Sequence, residues 1–169
     1  DQLRTDWRID CLIHGDIRWE NCLLYPDPAH GGRLHFKLID WETADFGDAC
    51  WDIGGVLQAY LSSWVFSMPD GNEIPARELV ARARYPMDQM QSAVDAFWRA
   101  YISRRGLAER ASRDLLIRSM TFAAARLVQT AGEFSMHGAQ LSQYAVRLLQ
   151  LSYNILESPS EGVERLLVA

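Results

Sequence analysis

The spacing of apolar residues changes at Asp48, and that change limits the folds open to this chain. Ahead of it, apolar residues come in short runs, Cys11 to His14, Cys22 to Tyr25 and Leu34 to Ile39. Polar Gly15 to Glu20, Pro26-Asp27-Pro28 and Gly31-Gly32 separate them. Runs this short, bounded by proline and glycine, predict strands and turns, with the second and third runs paired as a hairpin. Behind Asp48, which can cap a helix, Ala49 to Phe66 is apolar on most faces and reads as a buried helix.

Residues 67 to 86 break the helical pattern with Pro69, Gly71 and Pro75, and read as a loop or a loop with one helical turn. Helical spacing then returns. Ala93, Phe97 and Tyr101 belong to a helix from Met87 to Arg104, Leu116, Met120, Ala123 and Leu127 to one from Ser112 to Phe134, and Tyr144, Leu148 and Leu149 to one from Gly138 to Leu156. Ser158-Pro159 is expected to end the last helix. The prediction is an α+β fold in one domain spanning 1–169, with polar loops on short strands over 1–48 and a helical body over 49–169.

At 169 residues, 49% hydrophobic and 23% charged, the chain can build and solvate a core. Its net charge of −5 gives no long-range attraction to nucleic acid. No apolar run has transmembrane length, so no membrane partner is expected and the location reads as cytoplasmic. Cys11, Cys22 and Cys50 lack a CxxC spacing and lie among apolar residues, which suits inert thiols better than a disulfide framework. The chain opens on Asp1 rather than Met, and reads as a fragment.

Function is expected at the strand ends. Asp16 sits in a loop directly after an apolar strand, where a general base can meet an acceptor hydroxyl. Asn21, at the start of the next strand, can aim an amide oxygen at the same place, and Asp40 ends the third strand as a harder, anionic oxygen donor. A base with two oxygen donors suits phosphoryl transfer, because Mg²⁺ prefers oxygen and takes few protein ligands.

In these residues, His14-Gly15-Asp16 with Asn21 and then Ile39-Asp40-Trp41-Glu42, the chain resembles the aminoglycoside phosphotransferase and choline kinase family of the protein-kinase-like fold. Gly47-Asp48-Ala49-Cys50-Trp51-Asp52-Ile53 is similar to a further segment of that family, with Ala49 in place of its usual proline. The resemblance covers about residues 10 to 55 and implies the C-terminal lobe of a kinase using ATP and Mg²⁺. It makes Asp16 the base, Asn21 and Asp40 the Mg²⁺ ligands, His14 a brace of the loop, and Asp52 a brace that accepts hydrogen bonds from the loop backbone. Arg18 occupies a slot where protein kinases hold a lysine, which makes it a candidate cation for the transferred phosphate; the other reading is a surface arginine over Trp19. Glu20 is a candidate for contact with a cationic or peptide substrate.

Nothing ahead of Asp16 resembles a nucleotide-clamping lobe, so an N-terminal kinase lobe is expected from the same polypeptide or another chain. His30 and His35 lack partners at metal-ligand spacing, and Arg77, Arg82 and Arg84 read as a solvated face, with binding of a phosphate or an acidic peptide as the alternative. The expected acceptor is the hydroxyl of a small molecule such as an aminoglycoside or a choline-like amine. A Ser or Thr of a peptide is the alternative, and a catalytically silent scaffold is a third reading from another class.

Overall fold

The computed structural model describes residues 5, 7–71, 74–135 and 141–167. Its strands form two small antiparallel pairs. β1 (Cys11–Ile13) lies against β4 (Asp45–Gly47), with Leu12 opposite Phe46. β2 (Cys22–Asp27) and β3 (Arg33–Leu38) make the predicted hairpin, in register from Cys22 opposite Leu38 to Asp27 opposite Arg33. Its turn is closed by Asp27, whose carboxylate accepts the Ala29 N–H at 2.9 Å and whose carbonyl accepts the Gly32 N–H at 2.8 Å. β4 was not anticipated, since Asp45-Phe46-Gly47 is too short to show a period of two.

Among the described residues six α-helices follow: α1 (Ala49–Phe66), α2 (Ala76–Ala81), α3 (Met87–Arg105), α4 (Glu109–Ser135), α5 (Gln143–Glu157) and α6 (Pro159–Leu166). Gly106 ends α3 in the left-handed region at φ 61°. Two expectations change. Ser158-Pro159 does end α5, but Pro159 also opens α6, because a proline at the first helical position lacks only an N–H that has no helical partner there. The start expected at Gly138 lies outside the described residues, and α5 begins after Ser142, whose hydroxyl accepts the Ala145 N–H at 3.1 Å.

Leu57 and Leu61 of α1, Met120 and Leu127 of α4, and Leu148 of α5 are completely buried and form the centre of the core. α1 is hemmed in on several sides, which explains why its sequence is apolar nearly all round. The Gly54-Gly55 step permits that placement. A Cβ at Gly54 would stand 2.9 Å from the Ala123 backbone nitrogen of α4, and one at Gly55 would stand 2.9 Å from the Ile17 carbonyl of the β1 loop. The glycines let α1 meet α4 and the loop after β1 backbone to backbone.

Asp48 locks the start of α1 to α4. Its buried carboxylate accepts the Cys50 N–H at 2.9 Å as a helix cap, the Arg8 N–H at 2.9 Å, and both terminal nitrogens of Arg118. Burial works to raise the Asp48 pKa, but these donors outweigh it and hold the carboxyl below its ordinary value. Next to it, burial pushes the Cys50 thiol up to about 11, and it raises Cys11 and Cys22 as well, so all three remain protonated thiols.

A depressed folded pKa contributes stability above the unfolded value, about 3.9 for Asp, and that contribution disappears as pH falls through the folded value. Asp48→Asn is expected to cost about 3 kcal/mol at neutral pH, since it removes the charge that both terminal nitrogens of Arg118 bond. Urea unfolding of both proteins from neutral pH to strong acid checks this: the gap should close below about pH 4, and a constant gap would refute the ion pair's contribution.

Candidate active site

The loop after β1 is held on almost every backbone group. Gly15 has φ +85°, and a Cβ there would sit 2.6 Å from the Thr43 carbonyl, so the turn requires glycine. The Asp52 carboxylate, one turn into α1, accepts the His14 N–H at 2.7 Å and the Gly15 N–H at 3.0 Å. The Trp51 indole donates to the Gly15 carbonyl at 2.6 Å, and the Thr43 hydroxyl donates to the His14 carbonyl at 2.9 Å. Adjacent residues on the first turn of α1 thus grip opposite poles of the loop's peptide groups.

His14 is 1% exposed and joins the two motifs. Its Nδ1 accepts the Asp16 N–H at 3.3 Å, which assigns the ring proton to Nε2, and Nε2 then donates to the Ile39 carbonyl at 2.8 Å. Trp41 packs edge-on to the ring at 4.7 Å. A second tie runs from the Ile39 N–H to the Asn21 carbonyl at 2.9 Å. The residue preceding Asp40 is therefore bonded on one side to His14 and on the other to Asn21.

Asn21 spends its amide NH₂ on Asp16, donating to the carbonyl at 2.9 Å and to Oδ2 at 3.2 Å, which leaves the amide oxygen as the atom that could hold a cation. Asp40 is exposed and has φ 65° and ψ 60°, a positive φ found at no other non-glycine among the described residues. A left-handed aspartate is tolerated because its short side chain can satisfy local donors, yet it remains strained. Among the described residues no three His, Cys, Asp or Glu side chains converge as a transition-metal site would. One carboxylate and one amide oxygen on adjoining segments match the sparser demand of Mg²⁺. His35 is paired with Asp27 at 3.4 Å, and the His30 side chain lies outside the described structure.

The residue that sequence reasoning missed is Arg126. Only 5% exposed, it reaches from α4 to donate to the Gly15 carbonyl at 3.2 Å, the Ile17 carbonyl at 3.1 Å and Asp16 Oδ1 at 3.5 Å. Its guanidinium lies 4.9 Å from the centre of the Trp51 ring. Burial lowers its pKa, opposed by the charges of Asp16 and Asp52, and an arginine stays protonated through such a shift. The available signal was a charge within the stripe formed by Met120, Ala123 and Leu127.

Asp16 opens onto a cavity of about 300 Å³ between α1 and α4, walled by Trp19, Ser62, Phe66, Thr130 and Phe134. Arg18 stands at its side, bridging Glu20 at 3.2 Å and Glu133 at 3.7 Å. Trp19 beside it turns its indole N–H to the Ala59 carbonyl and the Ser63 hydroxyl of α1. Asp16, Asn21, His14 and Asp52 thus form one bonded unit with the segment carrying Asp40, while Arg18 and Glu20 belong to the cavity wall.

No protein-family model matches the chain, and no curated protein or solved structure does so at a significant level.

Asp52→Ala strips the acceptor from two loop N–H groups and is expected to destabilise the fold by about 2–4 kcal/mol, with faster amide exchange at His14 and Gly15. Arg126→Met should free the Ile17 carbonyl, leave the Gly15 carbonyl with its Trp51 bond alone, and be comparably costly. Urea midpoints and residue-resolved hydrogen exchange check both, and native protection of the loop in either variant would contradict the bonding described.

Proposed function

We propose that the chain is the acceptor-side lobe of an ATP-dependent phosphotransferase, kinase-like in its C-terminal architecture. The observation that carries this reading is the Asn21 side chain bonded to Asp16, with Asp16 facing a cavity and Asp40 tethered through Ile39 to the same loop. A base and two oxygen donors held this way match the small protein contribution that phosphoryl transfer needs.

In this mechanism the acceptor hydroxyl enters the cavity and hydrogen-bonds to the Asp16 carboxylate, which orients its lone pair and takes its proton. The acceptor oxygen forms a bond to the γ-phosphorus of ATP as the bridging P–O bond breaks, and ADP departs with that electron pair. Arg126 holds Oδ1 from behind, so the carboxylate stays turned to the cavity. Asn21 and Asp40 would hold Mg²⁺, which neutralises phosphate charge when bound. Arg18, half-exposed and adjacent, is the candidate for contact with the transferred phosphate, once released from Glu20 and Glu133.

A nucleotide-clamping lobe, from the same polypeptide or another chain, would complete the site. The strand pairs supply a surface for it: Leu12 beside Phe46 and Leu24 beside Phe36 are 61 to 68% exposed, on the strands that lead to and from the Asp16 and Asp40 segments. Contiguous exposed apolar residues of this kind mark an interaction surface. A silent scaffold could keep the same helices, but it has no use for the strained backbone at Asp40. The acceptor is a hydroxyl compound, either a small molecule or a Ser or Thr of a peptide.

The test joins this chain to its clamping lobe and measures phosphate transfer and Mg·ATP affinity separately. Asp16→Asn is expected to lower turnover by roughly 10²–10⁴-fold with nucleotide affinity nearly unchanged, whereas Asp40→Asn should weaken Mg·ATP binding itself. Wild-type turnover in either variant would sink the assignment.

A further inference from the structure

The cavity at Asp16 does not end at its far wall. Trp19, Ser63 and Phe66 also line a second cavity, of about 440 Å³, whose other side is Tyr60, Ser67, Arg84 and Tyr85. The two hollows therefore adjoin across a low ridge of Trp19 and Phe66. That ridge is built to stay in place. The Trp19 indole N–H is held by the Ala59 carbonyl at 3.1 Å and the Ser63 hydroxyl at 2.9 Å, and its ring packs edge-on to Tyr60 at 4.8 Å. The outer wall is fixed too, since the Arg84 N–H donates to the Ser67 carbonyl at 3.0 Å and the Tyr85 N–H to the Ser67 hydroxyl at 3.1 Å.

We propose that this double cavity is the groove for an extended acceptor, a peptide that presents Ser or Thr to Asp16 and runs over Trp19 and Phe66 to Arg84 and Tyr85. The inference rests on the phosphotransferase reading and decides between its two acceptor classes. A compact hydroxyl compound needs only the first cavity. A chain fits both, because each offers aromatic faces for side chains, Trp19, Phe66 and Phe134 in the first and Tyr60 and Tyr85 beside Trp19 and Phe66 in the second. The charges are unequally placed. Asp16, Glu20 and Glu133 lie in the first cavity beside Arg18 and Arg126, while among the described residues Arg84 is the one charged residue lining the second. Among the described residues no carboxylate is in ion-pair contact with Arg84. The groove thus selects a peptide with an acidic residue a few positions to one side of the phosphorylatable one.

The test uses a set of short blocked peptides with a central Ser and an Asp moved through each flanking position, titrated against the chain with N-acetylserine amide as the compact comparison. Peptide is expected to bind more tightly than the compact compound, with one flanking position preferring Asp. Arg84→Glu, remote from Asp16, should weaken that peptide by about tenfold and transfer the preference to Lys, leaving N-acetylserine amide unchanged. Peptide affinity no greater than that of the compact compound, or unmoved by Arg84→Glu, overturns the proposal. The two readings fail separately. Asp16-dependent phosphate transfer with no Arg84 effect removes the extended groove alone. Arg84-dependent peptide binding with no transfer in the joined enzyme removes the phosphotransferase reading and leaves a peptide-binding groove.

Discussion

A buried arginine under an indole holds the candidate site together. Moving a guanidinium into the interface between α1 and α4 costs several kcal/mol of hydration, and its Nε finds no partner there. What offsets the cost is unusually concentrated: carbonyls of Gly15 and Ile17, the Asp16 carboxylate and the Trp51 face all lie within reach of one side chain. A hydrophobic residue of similar volume would pack α4 at least as well. The charge makes sense as a way to set the loop, since the carbonyls of a tight turn cannot all be met by its own N–H groups.

Seen from the loop, Arg126 and Asp52 are complementary. Asp52 takes the N–H groups at the start of the turn and Arg126 takes the carbonyls that follow, so α1 and α4 hold successive peptide groups of the same turn by opposite poles. Gly55 is what brings them close enough, because any side chain there would push α1 away from Ile17. The position of the Asp16 carboxylate is thereby written into helix packing rather than into the loop itself, which is the arrangement expected where a side chain must be held to a fraction of an ångström.

What was legible in the sequence followed from local physics. Asp48 as a cap, the β2–β3 hairpin and the span of α1 each depend on residues within a few positions of one another, and the structure has them where spacing put them. The motif residues could also be read, since Asp52 does accept the loop N–H groups and Asn21 does meet Asp16. Arg126 could not, because its hydrogen-bond partners lie more than a hundred positions away and its one local signal, a charge within the stripe of Met120, Ala123 and Leu127, does not say what it bonds. β4 and α6 escaped for the opposite reason: each is too short to show a period, and Pro159 carries the same letter whether it stops one helix or starts the next.

The bonding of His14 has a consequence for how the two motifs behave. With Nδ1 accepting from Asp16 and Nε2 donating to Ile39, one ring fixes both Asp16 and the segment bearing Asp40. Removing the ring would strip the acceptor from the Asp16 N–H and leave Ile39 tied only through its own N–H to the Asn21 carbonyl. The left-handed backbone at Asp40 then has a reason to persist: Ile39 is anchored from two sides and Trp41 closes back on the Leu38 carbonyl at 2.9 Å, so the chain must turn sharply between two fixed points. Strain at Asp40 and order at Asp16 are two ends of a single bonded path, and a change at one is carried to the other through His14.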